Sequence, residues 1–237
     1  MKVVVIIPAR WESSRFPGKP LADIAGKGLL ERVFNQSIQA YPNVYVATDD
    51  NRIYDHCKEK GMPCVMTGDC MTGTDRVAEA YMRLDSRYDV VVNVQGDEPL
   101  VKPGDIIKVA EADNQRGFPV PRCGMCKIKT KEDFDDPNTI KIIADNHNML
   151  LYASRAGIPT NKKLEFISAY KQVCIYAFAP FYLEYFAEHK QTTFEVIEDI
   201  EILRVLGSGK DIQMVEVSEA SIGVNVPSDI ERVLERL

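Results

Sequence analysis

The chain has 237 residues, of which 29 are Lys or Arg, 35 are Asp or Glu and 45% are hydrophobic, so its formal net charge is −6. This composition is ordinary for a globular protein and argues against intrinsic disorder and a basic nucleic-acid-binding surface. The longest apolar runs, Val3–Ile7 and Val90–Val92, are far shorter than the roughly 20 residues that cross a bilayer. We therefore expect one domain over residues 1–237, with no nucleic-acid partner and no membrane span.

The N-terminus and the cysteines bear on the cellular compartment. One lysine precedes an apolar run that ends at Pro8, which is too short for a signal peptide, so a cytoplasmic location is expected. The six cysteines are accordingly predicted to be reduced thiols. Cys123 and Cys126 have the C-x-x-C spacing of half a zinc site or a redox pair, but no second pair follows at a suitable distance. A structural role is favoured, with zinc binding as the minor hypothesis.

The first half alternates strand patterns with helix patterns. Lys2–Ile7 is a continuous, mostly β-branched run closed by Pro8, as in a strand buried on both faces of a parallel sheet. Further strands are predicted at Val44–Ala47, Pro63–Met66 and Val90–Val94, and helices at Leu29–Ala40, Asn51–Lys60, Thr74–Leu84 and Pro103–Ala112. This order predicts an α/β fold, a Rossmann-like parallel or mixed sheet with helices on both faces. Because ligands bind such sheets at the carboxyl ends of strands, the loops after Ile7, Ala47 and Val94 should share one crevice.

After about residue 116 the pattern changes to short apolar segments separated by Pro, Asn and charged residues. They are Gly124–Ile128, Ile140–Ala144, Met149–Tyr152 and Val173–Phe178. Such segments predict antiparallel hairpins, either as an extension of the sheet or as a small β lobe that provides an oligomer interface. A helix over Phe194–Leu206, a strand over Ile212–Val217 and a terminal helix near Pro227 should follow. The domain thus divides into halves of about 1–116 and 117–237.

The loop after the first strand, residues 8–20, concentrates positive charge and hydroxyl groups. It contains Arg10, Arg15 and Lys19 together with Ser13 and Ser14. Backbone amides and serine hydroxyls can line phosphate oxygens while the cations neutralise charge, so the loop predicts a triphosphate site. It lacks the Walker spacing of a P-loop. The alternative is a solvated basic turn.

Two further motifs carry candidate site residues. Val90–Val94 is followed by Gln95, Gly96, Asp97 and Glu98, and a carboxylate at a strand end beside a phosphate crevice suits Mg²⁺, with Asp97 the better ligand. The alternative is that both acids cap a turn. Gly73–Arg76 begins a predicted helix, with Thr74 or Asp75 as its N-cap. Arg76 would then face the positive end of the helix dipole, which favours a functional role through an anion or a carbonyl.

These motifs together resemble the 3-deoxy-manno-octulosonate cytidylyltransferases, the CMP-Kdo synthetases. The resemblance rests on Ile6–Arg10, Ser13–Leu21, Ala47–Asp50, Gly73–Arg76 and Asn93–Pro99, and extends more loosely through Leu151–Arg155 and Glu198–Leu206. It implies a homodimer in which a sugar-acid hydroxyl attacks the α-phosphorus of CTP, releasing pyrophosphate. The implied catalytic residues are Arg10, Lys19 and Asp97, with Asp97 and Asn225 at Mg²⁺. The implied nucleotide-binding residues are Pro8, Ala9, Arg10, Ser13, Ser14, Arg15, Lys19, Thr74, Arg76 and Gln95. The implied sugar-acid-binding residues are Arg155, Gln172, Tyr176 and Glu201.

The sequence departs from the family pattern where the sugar acid is expected to bind. Gln172 stands where the family usually has His, Ile202 where it has Gln, and Asn225 where it has Asp, while Trp11 and Glu12 replace a usual Tyr-Gly. These departures suggest a different acceptor, such as 8-amino-Kdo, another nonulosonic acid or a phosphonate. Kdo itself, transfer of another nucleotide, and a catalytically inactive CTP-binding regulator remain open alternatives.

Overall fold

The computed structural model describes residues 1–13, 15–113, 117–218 and 221–237. The strands are β1 (Val3–Pro8), β2 (Asp23–Ile24), β3 (Lys27–Gly28), β4 (Val44–Thr48), β5 (Cys64–Met66), β6 (Val90–Val94), β7 (Arg122–Lys127), β8 (Lys141–Ala144), β9 (Leu150–Ser154), β10 (Tyr170–Phe178) and β11 (Gln213–Glu216). The α-helices are α1 (Leu29–Ala40), α2 (Asn51–Glu59), α3 (Gly73–Met82), α4 (Pro103–Glu111), α5 (Lys131–Asp135), α6 (Pro180–Glu188), α7 (Thr193–Glu198), α8 (Leu203–Gly207) and α9 (Asp229–Leu234). In the described part of the chain no helix has the length and apolar character needed to cross a membrane.

A central mixed sheet runs in the order β11-β7-β10-β6-β1-β4-β5. The strands β5, β4, β1 and β6 are parallel, as predicted, whereas β10 runs antiparallel to both β6 and β7. The hairpin β8–β9 joins the same sheet through β10. The antiparallel segments of the second half therefore extend the main sheet, and β2 with β3 forms a separate two-stranded sheet.

The alternation of β1 side chains builds a core on each face of the sheet. Val3, Val5 and Ile7 pack with residues of α1, α2 and α4, whereas Val4 and Ile6 pack with residues of α3 and α6. Successive strand residues point to opposite faces, so a strand covered by helices on both sides must be apolar throughout. The parallel strands therefore lie at the centre of the molecule, with their carboxyl ends at one edge.

The two halves differ in how closely the predicted elements match. The bounds of α1 and β6 are as predicted, but the single helix expected over residues 194–206 is wrong. It is two short helices, because Asp199 adopts a left-handed conformation at φ 51° and ends α7. The helices α5 and α6 were not predicted.

The C-x-x-C pair lies within β7. Cys123 packs in the core on one face of the sheet and Cys126 in the core on the other. Residues three apart in a strand point in opposite directions, so these two thiols cannot bind one zinc ion together. All six cysteines are free thiols.

Candidate active site

A cleft of about 340 Å³ lies at the carboxyl ends of β1 and β6. Its first wall comes from the loops after these strands and from the chain that leads into α3. Its second wall comes from residues 191–201. The predicted residues that line the cleft are Pro8, Ala9, Arg10, Ser13, Arg15, Lys19, Arg76, Gln95, Asp97, Glu201 and Asn225. The predicted Ser14 lies outside the described residues.

The loops after β1 and β6 touch each other at the floor of the cleft. Lys19 Nζ lies 2.8 Å from Asp97 Oδ2. A Cβ atom added to Gly96 would lie 2.7 Å from the Pro8 carbonyl oxygen, a distance that no side chain tolerates. Glycine at position 96 therefore allows the two loops to approach closely enough for this ion pair. Of the three loops predicted to share one crevice, those after Ile7 and Val94 do so, whereas the loop after Ala47 is not among the described residues that line the cleft.

The loop after β1 supplies the exposed positive charge of the cleft. Arg10 is exposed, and Arg15 Nη2 donates to Asn225 Oδ1 over 3.4 Å. Ser13 lines the cleft, but its hydroxyl oxygen accepts a hydrogen bond from Phe16 N over 3.3 Å. The loop thus presents guanidinium and ammonium groups on one wall, as a phosphate-binding loop requires.

Arg76 is held below the surface of the first wall. Its side chain is 3% exposed and donates to Asp49 Oδ2 at 2.6 Å, to Thr67 Oγ1 at 2.5 Å and to the Gly68 carbonyl. These contacts provide the anion and the carbonyl that an arginine in a first helical turn requires. The loop after β4, which contains Asp49, therefore reaches the cleft through Arg76.

The N-terminus of α3 forms the middle of the first wall. Its N-cap is Thr72, in a capping box with Asp75, so the prediction of Thr74 or Asp75 as N-cap is wrong. Glu201, from the second wall, accepts hydrogen bonds from Gly73 N (3.0 Å), Thr74 N (2.9 Å) and Thr74 Oγ1 (2.6 Å). Burial raises the pKa of Glu201, and these hydrogen bonds oppose the shift. Thr74 is buried beneath this contact and does not line the cleft, contrary to its predicted nucleotide-binding role.

Three residues predicted to bind the sugar acid do not line the cleft. Gln172 and Tyr176 are buried in β10, where Gln172 Nε2 donates to Cys123 Sγ over 3.5 Å. Arg155 donates from Nε to the Glu198 carbonyl (2.6 Å) and from Nη2 to the Asp199 carbonyl (2.8 Å). Its guanidinium therefore stabilises the carboxyl end of α7 behind the cleft.

The second wall also contains residues that sequence reasoning missed, namely Gln191, Glu195 and Asp199. Glu195 is the last residue of a Thr-x-x-Glu capping box that begins at Thr192, a signal visible in the sequence. Its carboxylate is bound by Arg204, through Nε at 2.9 Å and Nη2 at 2.7 Å. Arg204 also donates to Asp75 at 2.7 and 3.1 Å. One buried guanidinium thus joins the capping boxes of α3 and α7, and with them the two walls.

The comparisons with known proteins agree with this geometry. A family model described as cytidylyltransferase matches residues 4–212. The chain belongs to the cytidylyltransferase family. This membership agrees with the resemblance drawn from the motifs.

Individual cytidylyltransferases match over the whole chain. The 3-deoxy-manno-octulosonate cytidylyltransferase of Trichlorobacter lovleyi is 40% identical, covering 100% of this chain and 99% of that protein. The mitochondrial 3-deoxy-manno-octulosonate cytidylyltransferase of Arabidopsis thaliana is 38% identical, over 98% of this chain and 82% of the relative. A solved structure described as CMP:2-keto-3-deoxy-manno-octonic acid synthetase complexed with CTP superposes with a TM-score of 0.90 at 32% identity, covering 100% of this chain and 98% of that chain.

Two of the departures from the family pattern are not in the cleft of this cytidylyltransferase. Ile202 is 1% exposed and belongs to the core between α3 and β10, and Gln172 is 8% exposed in the sheet. Asn225 does line the cleft and directs its amide oxygen toward Arg15. The departures at positions 172 and 202 therefore give no direct reason for a different acceptor.

Proposed function

We propose that this protein transfers CMP from CTP to 3-deoxy-manno-octulosonate, releasing pyrophosphate. The proposal rests mainly on the ion pair between Lys19 and Asp97 at the floor of the cleft, which joins the cationic loop to the acidic end of β6. Relatives that match over the whole chain carry the name of this activity. We assign residues 1–116 to nucleotide binding and residues 117–237 to the sugar acid and to dimerisation.

The reaction needs positioning and charge neutralisation more than a chemical group from the protein. A hydroxyl oxygen of the acceptor forms a bond to the α-phosphorus of CTP and loses its proton to water. The bond from that phosphorus to the bridging oxygen breaks, and pyrophosphate leaves with the electron pair. Arg10 and Lys19 would bind the phosphates and neutralise the charge that develops on the leaving group. Gln95, with the backbone of Pro8 and Ala9, would bind the nucleoside from the end of the sheet.

The cleft also fits the Mg²⁺ implied by the resemblance. Mg²⁺ takes one or two carboxylates together with phosphate oxygens and water. The Asp97 carboxylate is 29% exposed and lies in the cleft beside the cationic loop. We propose that Asp97 holds the ion, which would neutralise charge on the triphosphate. Asn225 offers an uncharged oxygen and would contribute less.

We propose Kdo as the acceptor, because the residues that differ at positions 172 and 202 pack inside the protein. The second wall contains polar groups that we expect to discriminate between acceptor sugar acids by hydrogen bonding to their hydroxyl groups. Gln191 and Glu201 line it, and Glu201 is fixed in orientation by the α3 amides. A carboxylate held in this way accepts hydrogen bonds from acceptor hydroxyls in only one geometry, which makes recognition strict.

We further propose that the protein is a homodimer whose interface lies on the second half. That half has several large apolar side chains exposed, including Phe194 at 51%, Ile197 at 74% and Ile167 at 72% exposure. Phe194 and Ile197 share one face of α7. Light scattering after size exclusion should give twice the mass of one 26.7 kDa chain. The expected cytoplasmic location stays a prediction.

The proposed function is tested by pyrophosphate release from CTP in the presence of Mg²⁺, with Kdo, 8-amino-Kdo, a sialic acid and a simple phosphonate as acceptors. Release with Kdo supports the proposal, and faster release with another acid would replace the acceptor. Competition by UTP or GTP would identify a different nucleotide. CTP binding without release under any condition would favour the inactive regulator.

A further inference from the structure

Trp11, one of the residues by which this chain departs from its family, contacts both its own loop and α2. A Cβ atom added to Gly18 would lie 3.1 Å from the indole ring. The guanidinium of Arg52 lies over the ring, 3.7 Å from its centroid. The indole thus connects the end of its own loop to the first turn of α2.

The Arg52 side of this contact is itself fixed. Arg52 donates from Nε to Asp50 Oδ1 at 3.0 Å and from Nη2 to Asp50 Oδ2 at 2.6 Å. Asp50 is also the N-cap of α2, because its Oδ1 accepts from Arg52 N. A two-bond carboxylate–guanidinium pair holds the orientation of the guanidinium, so Arg52 stays over the indole.

The backbone closes the loop at the same place. Gly18 N donates to the Trp11 carbonyl over 3.1 Å, and Gly18 has a left-handed φ of 71°. Arg10 directly precedes Trp11, and Lys19 directly follows Gly18. The two proposed phosphate-binding cations are therefore the sequence neighbours of Trp11 and Gly18, the residues whose contact closes the loop.

We infer that Trp11 is a positioning residue for CTP, fixing the loop so that Arg10 and Lys19 face the triphosphate together. The inference rests on the proposed function. Trp11, Gly18 and Arg52 belong to the cationic loop and α2 and are not among the residues that line the cleft, so we expect them to affect binding of the nucleotide and not of the sugar acid. Because Trp11 is the single tryptophan of the chain, tryptophan fluorescence measures the environment of this loop alone.

The test compares Arg52→Ala, Trp11→Ala and Trp11→Phe with wild type by calorimetric titration of CTP and by steady-state kinetics. Arg52→Ala should raise the Kd and the KM for CTP about two- to fivefold, the factor that a surface cation–π contact is worth. Trp11→Ala should raise both further, and Trp11→Phe should restore most of the affinity because an aromatic ring still lies beneath Arg52. The KM for Kdo should change less than twofold in each variant, whereas kcat can fall with the CTP affinity because Arg10 and Lys19 also neutralise charge on the leaving group.

The control is Arg87→Ala, which removes an exposed arginine from the loop before β6, at the opposite edge of the sheet. Its CTP affinity should equal that of wild type. The tryptophan emission of the wild type and of Arg87→Ala should change on CTP addition, and the amplitude should fall in Arg52→Ala. An unchanged Kd in Arg52→Ala and Trp11→Ala, or no emission change on CTP binding, would overturn the inference. If wild type itself fails to bind CTP, the proposed function fails instead.

Discussion

Replacing Arg204 by methionine tests the buried cluster that joins the two walls of the cleft. Arg204 is 3% exposed and its partners Glu195 and Asp75 are 2% and 16% exposed. Its guanidinium makes four hydrogen bonds to these two carboxylates and lies over the Phe186 ring at 3.9 Å. Methionine has a similar length and flexibility but no charge. The substitution therefore leaves two carboxylates near one another without a cation.

The structure sets the size of the expected effect. Removing one partner of a buried ion pair costs about 3–5 kcal/mol, because the remaining charge stays buried without compensation. For a chain of this length each kcal/mol lowers the melting temperature by about 2–4 °C, so Arg204→Met should melt roughly 6–20 °C below wild type. Activity should fall as well, since the capping boxes of α3 and α7 lose their shared partner.

Urea and thermal unfolding measure the loss, and a double-mutant cycle separates charge from packing. Glu195→Gln removes one of the stranded carboxylates, so the double variant should be less destabilised than the sum of the two single variants. The matched control is Arg232→Met, whose guanidinium is 65% exposed beside Asp229 and should contribute no more than about 1 kcal/mol. If Arg204→Met loses no more stability than this control, the assignment of Arg204 as the link between the walls is refuted.

Three other changes test separate parts of the protein. Asp97→Asn should abolish pyrophosphate release while the melting temperature stays near that of wild type. The control Asp85→Asn, at the exposed opposite edge of the sheet, should keep full activity. Turnover in Asp97→Asn would show that the metal lies elsewhere. Gly96→Ala forces a Cβ against the Pro8 carbonyl and should cost about 1–3 kcal/mol in unfolding experiments, whereas Gly104→Ala, with open space around its Cβ, should not destabilise α4. Burial raises the pKa of Glu198, but hydrogen bonds from Arg155 N, Ser154 and Tyr152 outweigh it and lower the pKa below 4.5. Because a lowered pKa adds stability that disappears as pH falls through it, Glu198→Gln should show a shallower loss of stability than wild type below about pH 4.5.

The first half of the fold was predictable because its signals are local. A strand buried on both faces is apolar along its length, and such a run in the sequence predicts both β1 and β6. The loops that follow contain the cleft residues in consecutive order, so the position of the site could be inferred from the topology of a parallel sheet. Arg10, Lys19 and Asp97 therefore appear together in the cleft as expected.

The second half was less predictable because its structure depends on partners far along the chain. Nothing near residue 199 resembles a helix stop in the sequence, since the residue that adopts the left-handed conformation is an aspartate and not a glycine. Arg155 was assigned to the sugar acid from its place in a motif, but its guanidinium binds the carbonyls at the end of α7. Only the tertiary structure shows which arginine faces the cleft and which supports its wall.

The position of β10 in the sheet has a consequence for synthesis of the chain. The parallel strands β5, β4, β1 and β6 are all complete once Val94 has been made, but β6 pairs on its other side with β10, which begins at Tyr170. During the interval β6 presents an apolar strand with an open edge, the kind of surface that joins other chains. Closure of that edge is a long-range event, so we expect chains in which β10 has not yet paired with β6 to be the most prone to aggregation.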